Sequence, residues 1–230
     1  MDYIVEAVER AFWLIIHFDR ELAVVVWTSL RVSLTATALA SVVGVPLGFV
    51  IAVSRFKGKR QVEIALNTSM AIPTVVVGLV IYSFISRRGP LGAYGLLFTP
   101  TAMVIGQFIL ATPIIVALSL SGTKSIDARV GETARTLGAN AIQRAAAILS
   151  EARYSIVVAI AAGFGRVIAE VGAAMILGGN IHGYTRTMTT AIALETGKGE
   201  FSLAMALGII LLLIALSVNA IVQGFRLRET

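Results

Sequence analysis

Residues 127–153 read D-A-R-V-G-E-T-A-R-T-L-G-A-N-A-I-Q-R-A-A-A-I-L-S-E-A-R, a polar and helix-prone stretch between long apolar runs. Residues 127–137 contain good helix formers, and Gly138 suits the turn that follows the last residue of a helix. A helical pattern resumes over residues 139–149. The stretch therefore predicts two short helices that are joined at a sharp bend and lie along a membrane surface.

The composition identifies an integral membrane protein. The chain has 230 residues, of which 57% are hydrophobic and none is cysteine. Its mean hydropathy is +0.87, so it has more apolar surface than a soluble domain can bury. At about 20 residues per span, the apolar runs allow roughly five helices in a single transmembrane domain over residues 1–230. The sequence indicates no metal site, because thiolates are absent and His182 lacks ligand partners.

Five membrane spans and one interfacial helix are predicted along the chain. Residues 1–20 have apolar positions at helical spacing but carry too many charges to cross a membrane, which favours an amphipathic helix at the interface. The predicted spans are residues 22–53, 63–86, 101–120, 154–177 and 201–225. Pro73 lies inside the second span and Pro113 inside the third, where membrane helices tolerate proline. The fold class is therefore all-α.

The distribution of lysine and arginine predicts the topology. Eleven basic residues lie in the loop 54–62, the insert 121–153 and the C-terminal tail, against six on the opposite side. The positive-inside rule then places the insert and the C-terminus in the cytoplasm and the N-terminus outside. The net charge of +6 is explained by these topology signals, so it does not indicate a nucleic-acid partner.

The first half of the insert has features of a docking site for another protein. Thr133 and Ala134 are small enough for a second backbone to approach closely, and Glu132 offers a charge to an arginine or to a helix N-terminus. Gly138 follows at the predicted bend. The alternative is an amphipathic loop that only connects two spans. A plain connector could be far shorter, which favours the docking role.

This order of residues resembles the EAA loop of ABC-importer permeases, which docks the membrane subunit onto its ATPase. The family pattern is Glu-Ala-Ala, three residues, Gly, nine residues and then Ile-x-Leu-Pro. The chain matches it at Glu132, Ala134, Gly138 and Ile148. It departs at Thr133, and Ser-Glu at 150–151 replaces the closing Leu-Pro.

Three further segments are similar to tungstate permeases of the molybdate/tungstate group of ABC importers. They are residues 29–37 (S-L-R-V-S-L-T-A-T), 71–79 (A-I-P-T-V-V-V-G-L) and 169–196, which begins A-E-V-G-A-A-M-I-L-G-G-N. The resemblance implies a type I ABC-importer permease (MetI-like) fold in the cytoplasmic membrane. It also implies a homodimer, an ATPase dimer that binds ATP and Mg, and an extracytoplasmic oxyanion-binding protein.

Two charges in the fourth predicted span are candidates for the translocation path. Arg166 and Glu170 are spaced i, i+4, so one helix face would carry both and they could neutralise each other. Arg166 could offer a positive station to an oxyanion, or the pair could be a structural ion pair; both roles stay open. Asn180 and Thr187 lie in the polar segment that follows, where a gate facing the binding protein is one interpretation and ordinary loop polarity is the other.

No enzyme chemistry is indicated by the sequence. It contains no G-x-x-x-x-G-K-[ST] phosphate loop, so this chain is not expected to bind ATP through such a loop. The resemblance implies that a separate subunit hydrolyses ATP and that this chain binds no cofactor. Two alternatives to a tungstate or molybdate permease remain. One is an ABC permease for sulfate or phosphate, and the other is an ATP-independent secondary transporter that uses Arg166 and Glu170 as a charge relay.

Overall fold

The computed structural model describes residues 2–17 and 19–227, with side chains over 8–17 and 19–225. The helices within those residues are α1 (Asp2–Ile16), α2 (Arg20–Val53), α3 (Lys59–Met70), α4 (Thr74–Ile85), α5 (Pro100–Lys124), α6 (Ala128–Thr136), α7 (Ala141–Glu151), α8 (Arg153–Ile168), α9 (Gly172–Gly178), α10 (Met188–Lys198) and α11 (Phe201–Leu227). A 3-10 turn over Gly92–Tyr94 precedes α5. The all-α prediction is confirmed. Arg228, which entered the topology argument, lies outside the described residues.

Helices α2, α5 and α11 are long and apolar enough to cross a membrane, judged by length and composition. Two bent pairs, α3 with α4 and α7 with α8, pass the same test when the helices of each pair are taken together. The described residues therefore contain three to five candidate spans, and the prediction of five crossings agrees with the higher number.

The second predicted span, residues 63–86, is wrong as a single helix. Helices α3 and α4 meet at an angle of 95°. Pro73 stands at the N-terminal cap of α4. It has no N–H to continue α3, and it disfavours helical geometry at the residue before it. Helix α4 packs against α9, where Gly78 brings it against the backbone of Ala173, whereas α3 contacts α5 and buries none of its residues.

The fourth predicted span, residues 154–177, is also wrong as a single helix. Helix α8 ends at Ile168, and α9 begins at Gly172 after a break that contains Glu170. One carboxylate oxygen of Glu170 accepts a hydrogen bond from the backbone N–H of Ala173 at 3.0 Å. The side chain thus satisfies a donor in the first turn of α9, which is how a helix start is stabilised. The buried carboxylate of Glu170 therefore stands at the break that divides the predicted span into two helices.

Helices α2 and α5 lie side by side and form the centre of the bundle. A Cβ atom at Gly48 would lie 2.7 Å from the carbonyl oxygen of Val116. The glycine therefore lets the two backbones approach closely, as small residues do between membrane helices. Pro46 and Pro113 lie inside these helices without ending them.

Replacing Gly48 by alanine is expected to lower the free energy of unfolding by about 1–3 kcal/mol, because the new methyl group overlaps the backbone of α5. Gly208→Ala in α11 is the matched control, since nothing lies within 4 Å of a Cβ atom there. Thermal unfolding of the two purified variants in detergent makes the comparison. Equal stability would contradict the close approach of α2 and α5.

Helix α1 packs against α11 and the start of α2 in the same chain. Ala11 is fully buried in a cluster that includes Leu22 and Leu207. Trp13 and Ile16 remain 55% and 75% exposed. The amphipathic helix is present as predicted, and its place at the membrane interface stays a prediction. Exposed Trp13 supports that place, because tryptophan is enriched at membrane–water interfaces.

Candidate functional site

Helices α6 and α7 form a sharp elbow whose two ends are capped by local residues. The Asp127 carboxylate accepts a hydrogen bond from the Arg129 backbone at the start of α6. Gly138 ends the first helix with φ +83°, a conformation that glycine adopts at little cost. Asn140 and Gln143 then form a reciprocal capping box that starts α7. The bend predicted from Gly138 is therefore present, and Gly138, Asn140 and Gln143, which lie within five positions of one another, account for its geometry.

The predicted docking residues all lie on this elbow. Glu132, Thr133 and Gly138 are exposed, and Ala134 is half-buried. Sequence reasoning missed the contribution of Leu137, which stands beside Gly138 and is 82% exposed. Ile142 begins the other arm of the bend, and 80% of its surface is exposed.

These two side chains form an apolar tip at the bend of the elbow. Exposed apolar surface that is contiguous and bordered by polar residues is typical of sites where another protein binds. The signal that could have found them is their position, immediately before and shortly after the predicted turn.

The pKa of Asp127, which lies outside the membrane spans, is lowered by its contacts with Arg129. The guanidinium of Arg129, whose Nε donates to the Asp127 carboxylate at 2.9 Å, holds the pKa of Asp127 below its ordinary value of 3.8. The backbone N–H of Arg129 acts in the same direction. Asp127 therefore remains charged at neutral pH while it caps α6.

Arg166 and Glu170 form an ion pair across the break between α8 and α9. The Nη1 atom of Arg166 lies 3.0 Å from Oε2 of Glu170, and the two side chains are 38% and 2% exposed. The pair was predicted on one face of a continuous helix. Glu170 instead lies beyond the end of α8, and its backbone carbonyl accepts a hydrogen bond from Thr189 at 2.7 Å. Glu170 therefore ties α8, α9 and α10 together, while Arg166 keeps an accessible side.

Asn180 and Thr187 lie near the contacts through which Glu170 joins α8, α9 and α10, and local hydrogen bonds hold both residues. Asn180 has φ +49°, and its amide Nδ2 lies 3.4 Å from the carbonyl of Thr190. Its Oδ1 atom is buried without a partner in the described residues. Thr187 caps α10 through a reciprocal pair with Thr190. The structure places α10, Met188–Lys198, within the polar segment predicted after the fourth span, and the buried cap of Thr187 and Thr190 starts that helix.

A second polar network, which sequence reasoning missed, lies at the start of α2. Arg186 is 12% exposed, and its Nη1 lies 3.5 Å from Glu21 and 3.7 Å from Glu195. His182 approaches the same Glu21 oxygen at 2.9 Å. His182 and Glu21 are 161 residues apart in sequence. No local pattern could have indicated that they meet.

The glycines of the fourth predicted span serve packing within the chain. A Cβ atom would lie 2.7 Å from Ile115 at Gly163, 2.6 Å from Val75 at Gly172 and 2.6 Å from Met103 at Gly178. Gly165 differs, because nothing lies within 4 Å of a Cβ there. Gly163, Gly172 and Gly178 therefore allow close packing against side chains of the same chain.

Comparison with known proteins gives a consistent result. A family described as "Binding-protein-dependent transport system inner membrane component" matches residues 44–228. A "Tungstate uptake system permease protein" from Peptoclostridium acidaminophilum is 40% identical over 226 residues, covering 98% of this chain and 99% of the relative. A "Probable anion ABC transporter permease protein" from Haloferax volcanii is 44% identical over 203 residues, covering 86% and 88%.

A solved structure shares the fold. The chain superposes with a TM-score of 0.74 on a subunit of the methionine ABC transporter MetNI in an inward-facing conformation, at 19% identity. The superposition covers 91% of this chain and 96% of that one. The type I ABC-importer permease fold that the sequence resemblance implied is thereby confirmed.

Proposed function

This chain belongs to the family of binding-protein-dependent transport system inner membrane components, and on that premise we propose that it is the permease subunit of an ATP-driven tungstate importer. The observation that carries the proposal is the 40% identity to a tungstate uptake permease over 98% of the chain. The chain is a transport subunit and not an enzyme, because ATP hydrolysis in these systems belongs to a separate subunit. That ATPase binds the ATP and Mg.

In this proposal the elbow of α6 and α7 docks onto the ATPase. Glu132, Ala134 and Gly138 match the family's docking loop, Thr133 stands where the pattern has alanine, and all four lie at or near the exposed bend. The apolar tip beside Gly138 adds surface that loses water on docking, which favours association. Closure of the ATPases on ATP pulls the elbows, and the helix bundles change between inward-open and outward-open states. The free energy for that change comes from the difference in contacts between the two states.

Arg166, Glu170, Asn180 and Thr187 are proposed to lie along the anion path. Glu170 holds the guanidinium of Arg166 on one side, and the remaining exposed side is available to a passing oxyanion. The carboxylate keeps that site weak, because it competes with the anion for the same guanidinium. A weak station suits transport, since a tight site would retain its ligand. Asn180 and Thr187 are proposed to form the neighbouring gate.

We further propose that the chain acts as a homodimer with an ATPase dimer and an extracytoplasmic oxyanion-binding protein. The proposed orientation has the N-terminus outside and the C-terminus in the cytoplasm. The excess of lysine and arginine on the elbow side of the membrane supports it.

The absence of cysteine allows a direct test of orientation. A cysteine introduced at Tyr94, which is 74% exposed in the loop before α5, is expected to react with a membrane-impermeant maleimide added to intact cells. A cysteine at Leu137, which is 82% exposed on the elbow, is expected to react only after the membrane is opened. The reverse pattern would contradict the proposed topology.

Substrate choice is tested by competition during uptake. Radiolabelled tungstate is expected to enter proteoliposomes that contain the chain, its ATPase and its binding protein. Excess molybdate is expected to compete, whereas sulfate and phosphate leave uptake unchanged. Dominant competition by sulfate or phosphate would instead support a permease for another oxyanion, the second candidate, which the similarity to a probable anion permease favours.

A further inference from the structure

A cavity of about 610 Å³ lies between the end of α2 and the inner side of the elbow. Phe49 and Val53 line it on the α2 side, and Gly131 and Ile148 line it on the elbow side. Helix α2 is an apolar span that ends at Val53. The cavity therefore lies where the hydrocarbon region gives way to the polar surface of the membrane, at the depth of lipid headgroups.

The cavity has an excess of positive charge. Three arginines line it, Arg55, Arg135 and Arg144, against the single acidic residue Glu132. Among the side chains described, those of residues 8–17 and 19–225, none pairs with any of the three arginines in an ion pair. Binding of an anion between these arginines is favourable, because the anion attracts each positive charge and offsets the repulsion among them.

Two other cations near the cavity are paired with carboxylates. Lys124 lies 2.6 Å from Glu63. Arg129 lies 2.8 Å from Asp127. The arginines of the cavity have no such carboxylate partner among the described side chains, so their charges are available to an anion from outside the chain.

Local packing holds one of these arginines over the elbow. A Cβ atom at Gly131 would lie 3.8 Å from Cδ of Arg144 and 3.4 Å from Cδ1 of Ile148. The side chain of Arg144 therefore crosses from α7 onto α6 in van der Waals contact. Ala141, in the first turn of α7, also lines the cavity. The positive end of that helix dipole adds to the attraction for an anion.

We propose that this cavity binds a phosphate-type oxyanion group. Arginine forks match the oxygens of phosphate, and basic pockets between membrane helices on the cytoplasmic side take lipid headgroups. The favoured source is the phosphate of an anionic phospholipid, because Phe49 and Val53 border the cavity where an acyl chain would continue into the membrane. The other source of the same chemistry is a free oxyanion. The inference goes beyond the transport function and does not depend on which anion is transported.

A bound phosphate group would join two elements that have to move together. It would bridge Arg55, just beyond α2, to Arg135 and Arg144 on the elbow. The connection from the elbow to the first membrane span would then include a lipid headgroup, and coupling would depend on the lipid composition of the membrane.

The test uses the full-length chain in phosphatidylcholine nanodiscs, with phosphatidylglycerol added at increasing fractions and retained lipid counted by native mass spectrometry. The parent chain is expected to retain phosphatidylglycerol. The variant Arg55→Gln/Arg144→Gln is expected to lose affinity by about 100-fold, because it removes two charge-assisted contacts to phosphate and each contributes about one decade. The matched control is Lys57→Gln/Arg60→Gln. It removes two exposed charges close to Arg55, one before α3 and one in its first turn, and neither residue lines the cavity.

Equal loss in both variants would show attraction to general surface charge and would overturn the proposal. Arg55→Lys/Arg144→Lys is expected to restore part of the binding, which separates a charge effect from misfolding. A second arm titrates inorganic phosphate and tungstate into the chain in pure phosphatidylcholine. Saturable binding that depends on Arg55 and Arg144 there, without retained phosphatidylglycerol, would assign the site to a free oxyanion.

Absence of binding in both arms would overturn the proposal. The first arm is repeated with the assembled ATPase complex. Loss of the retained lipid on assembly would also overturn it, because the cavity would then belong to the protein interface. Transport measurements enter neither arm, so a failure here is distinguishable from a failure of the proposed function.

Discussion

Gly138→Pro is expected to abolish ATP-driven uptake while the chain still folds. Gly138 has φ +83°, and proline is restricted to φ near −65°. The backbone N–H of Gly138 also donates to the carbonyl of Arg135 at 3.0 Å, and proline removes that donor. The elbow therefore cannot keep its bend, and Leu137 and Ile142 no longer form one tip. We expect uptake to fall by a factor of at least about 100, because the displaced elbow no longer meets the ATPase in the geometry that coupling needs, and a misplacement of about 1 Å can cost that much.

The control for this prediction is Gly138→Asn. Asparagine tolerates the left-handed conformation better than other residues with a side chain, so uptake is expected to remain within a few-fold of the parent. Both variants are assayed for uptake and for ATPase activity stimulated by the binding protein. Wild-type uptake by Gly138→Pro would contradict the assignment of this elbow as the coupling element.

Glu170→Ala is expected to lower the free energy of unfolding by about 3 kcal/mol, because it leaves a buried arginine contact and a helix start without their partner. The substitution removes the ion pair with Arg166 and the acceptor for the N–H of Ala173. Arg166 keeps part of its hydration at 38% exposure, which places the expected loss at the lower end of the range for buried pairs.

Glu170→Gln separates the two contributions. It retains an oxygen that can accept from Ala173 and loses only the charge, so the expected loss is about 1 kcal/mol. Thermal unfolding in detergent ranks the two variants. If Glu170→Ala were as stable as the parent chain, the brace between α8, α9 and α10 would be refuted. If Glu170→Gln bound tungstate more tightly, the result would support Arg166 as an anion station.

The sequence predicts the elbow well because its signals are local. Gly138 supplies the left-handed turn, and the Asn140–Gln143 capping box lies within five residues of it. The order of apolar runs likewise predicts α2, α5 and α11, because length and hydropathy are sufficient for a span.

The two broken spans depend on information that a hydropathy pattern does not carry. Pro73 and Pro113 both lie in apolar runs, yet only Pro73 stands between two helices. A usable signal was the polar content of α3, which buries none of its residues. The break at Glu170 had no such signal, because its partners Ala173 and Thr189 are fixed by the fold.

The same limit applies to the charged networks. The contact of His182 with Glu21, across 161 residues, and the three arginines around the cavity result from the packing of distant helices. Residue type indicated that these groups could bind an anion or a carboxylate. Only the fold determines which of them share a site.

The most direct measurement for the central claim is tungstate uptake into proteoliposomes that contain this chain and its binding protein, with and without the ATPase. The account predicts uptake only when the ATPase and hydrolysable ATP are both present. Uptake that persists without the ATPase, and that is lost in Arg166→Gln and in Glu170→Gln, would contradict the account. It would identify an ATP-independent secondary transporter in which these two charges act as a relay.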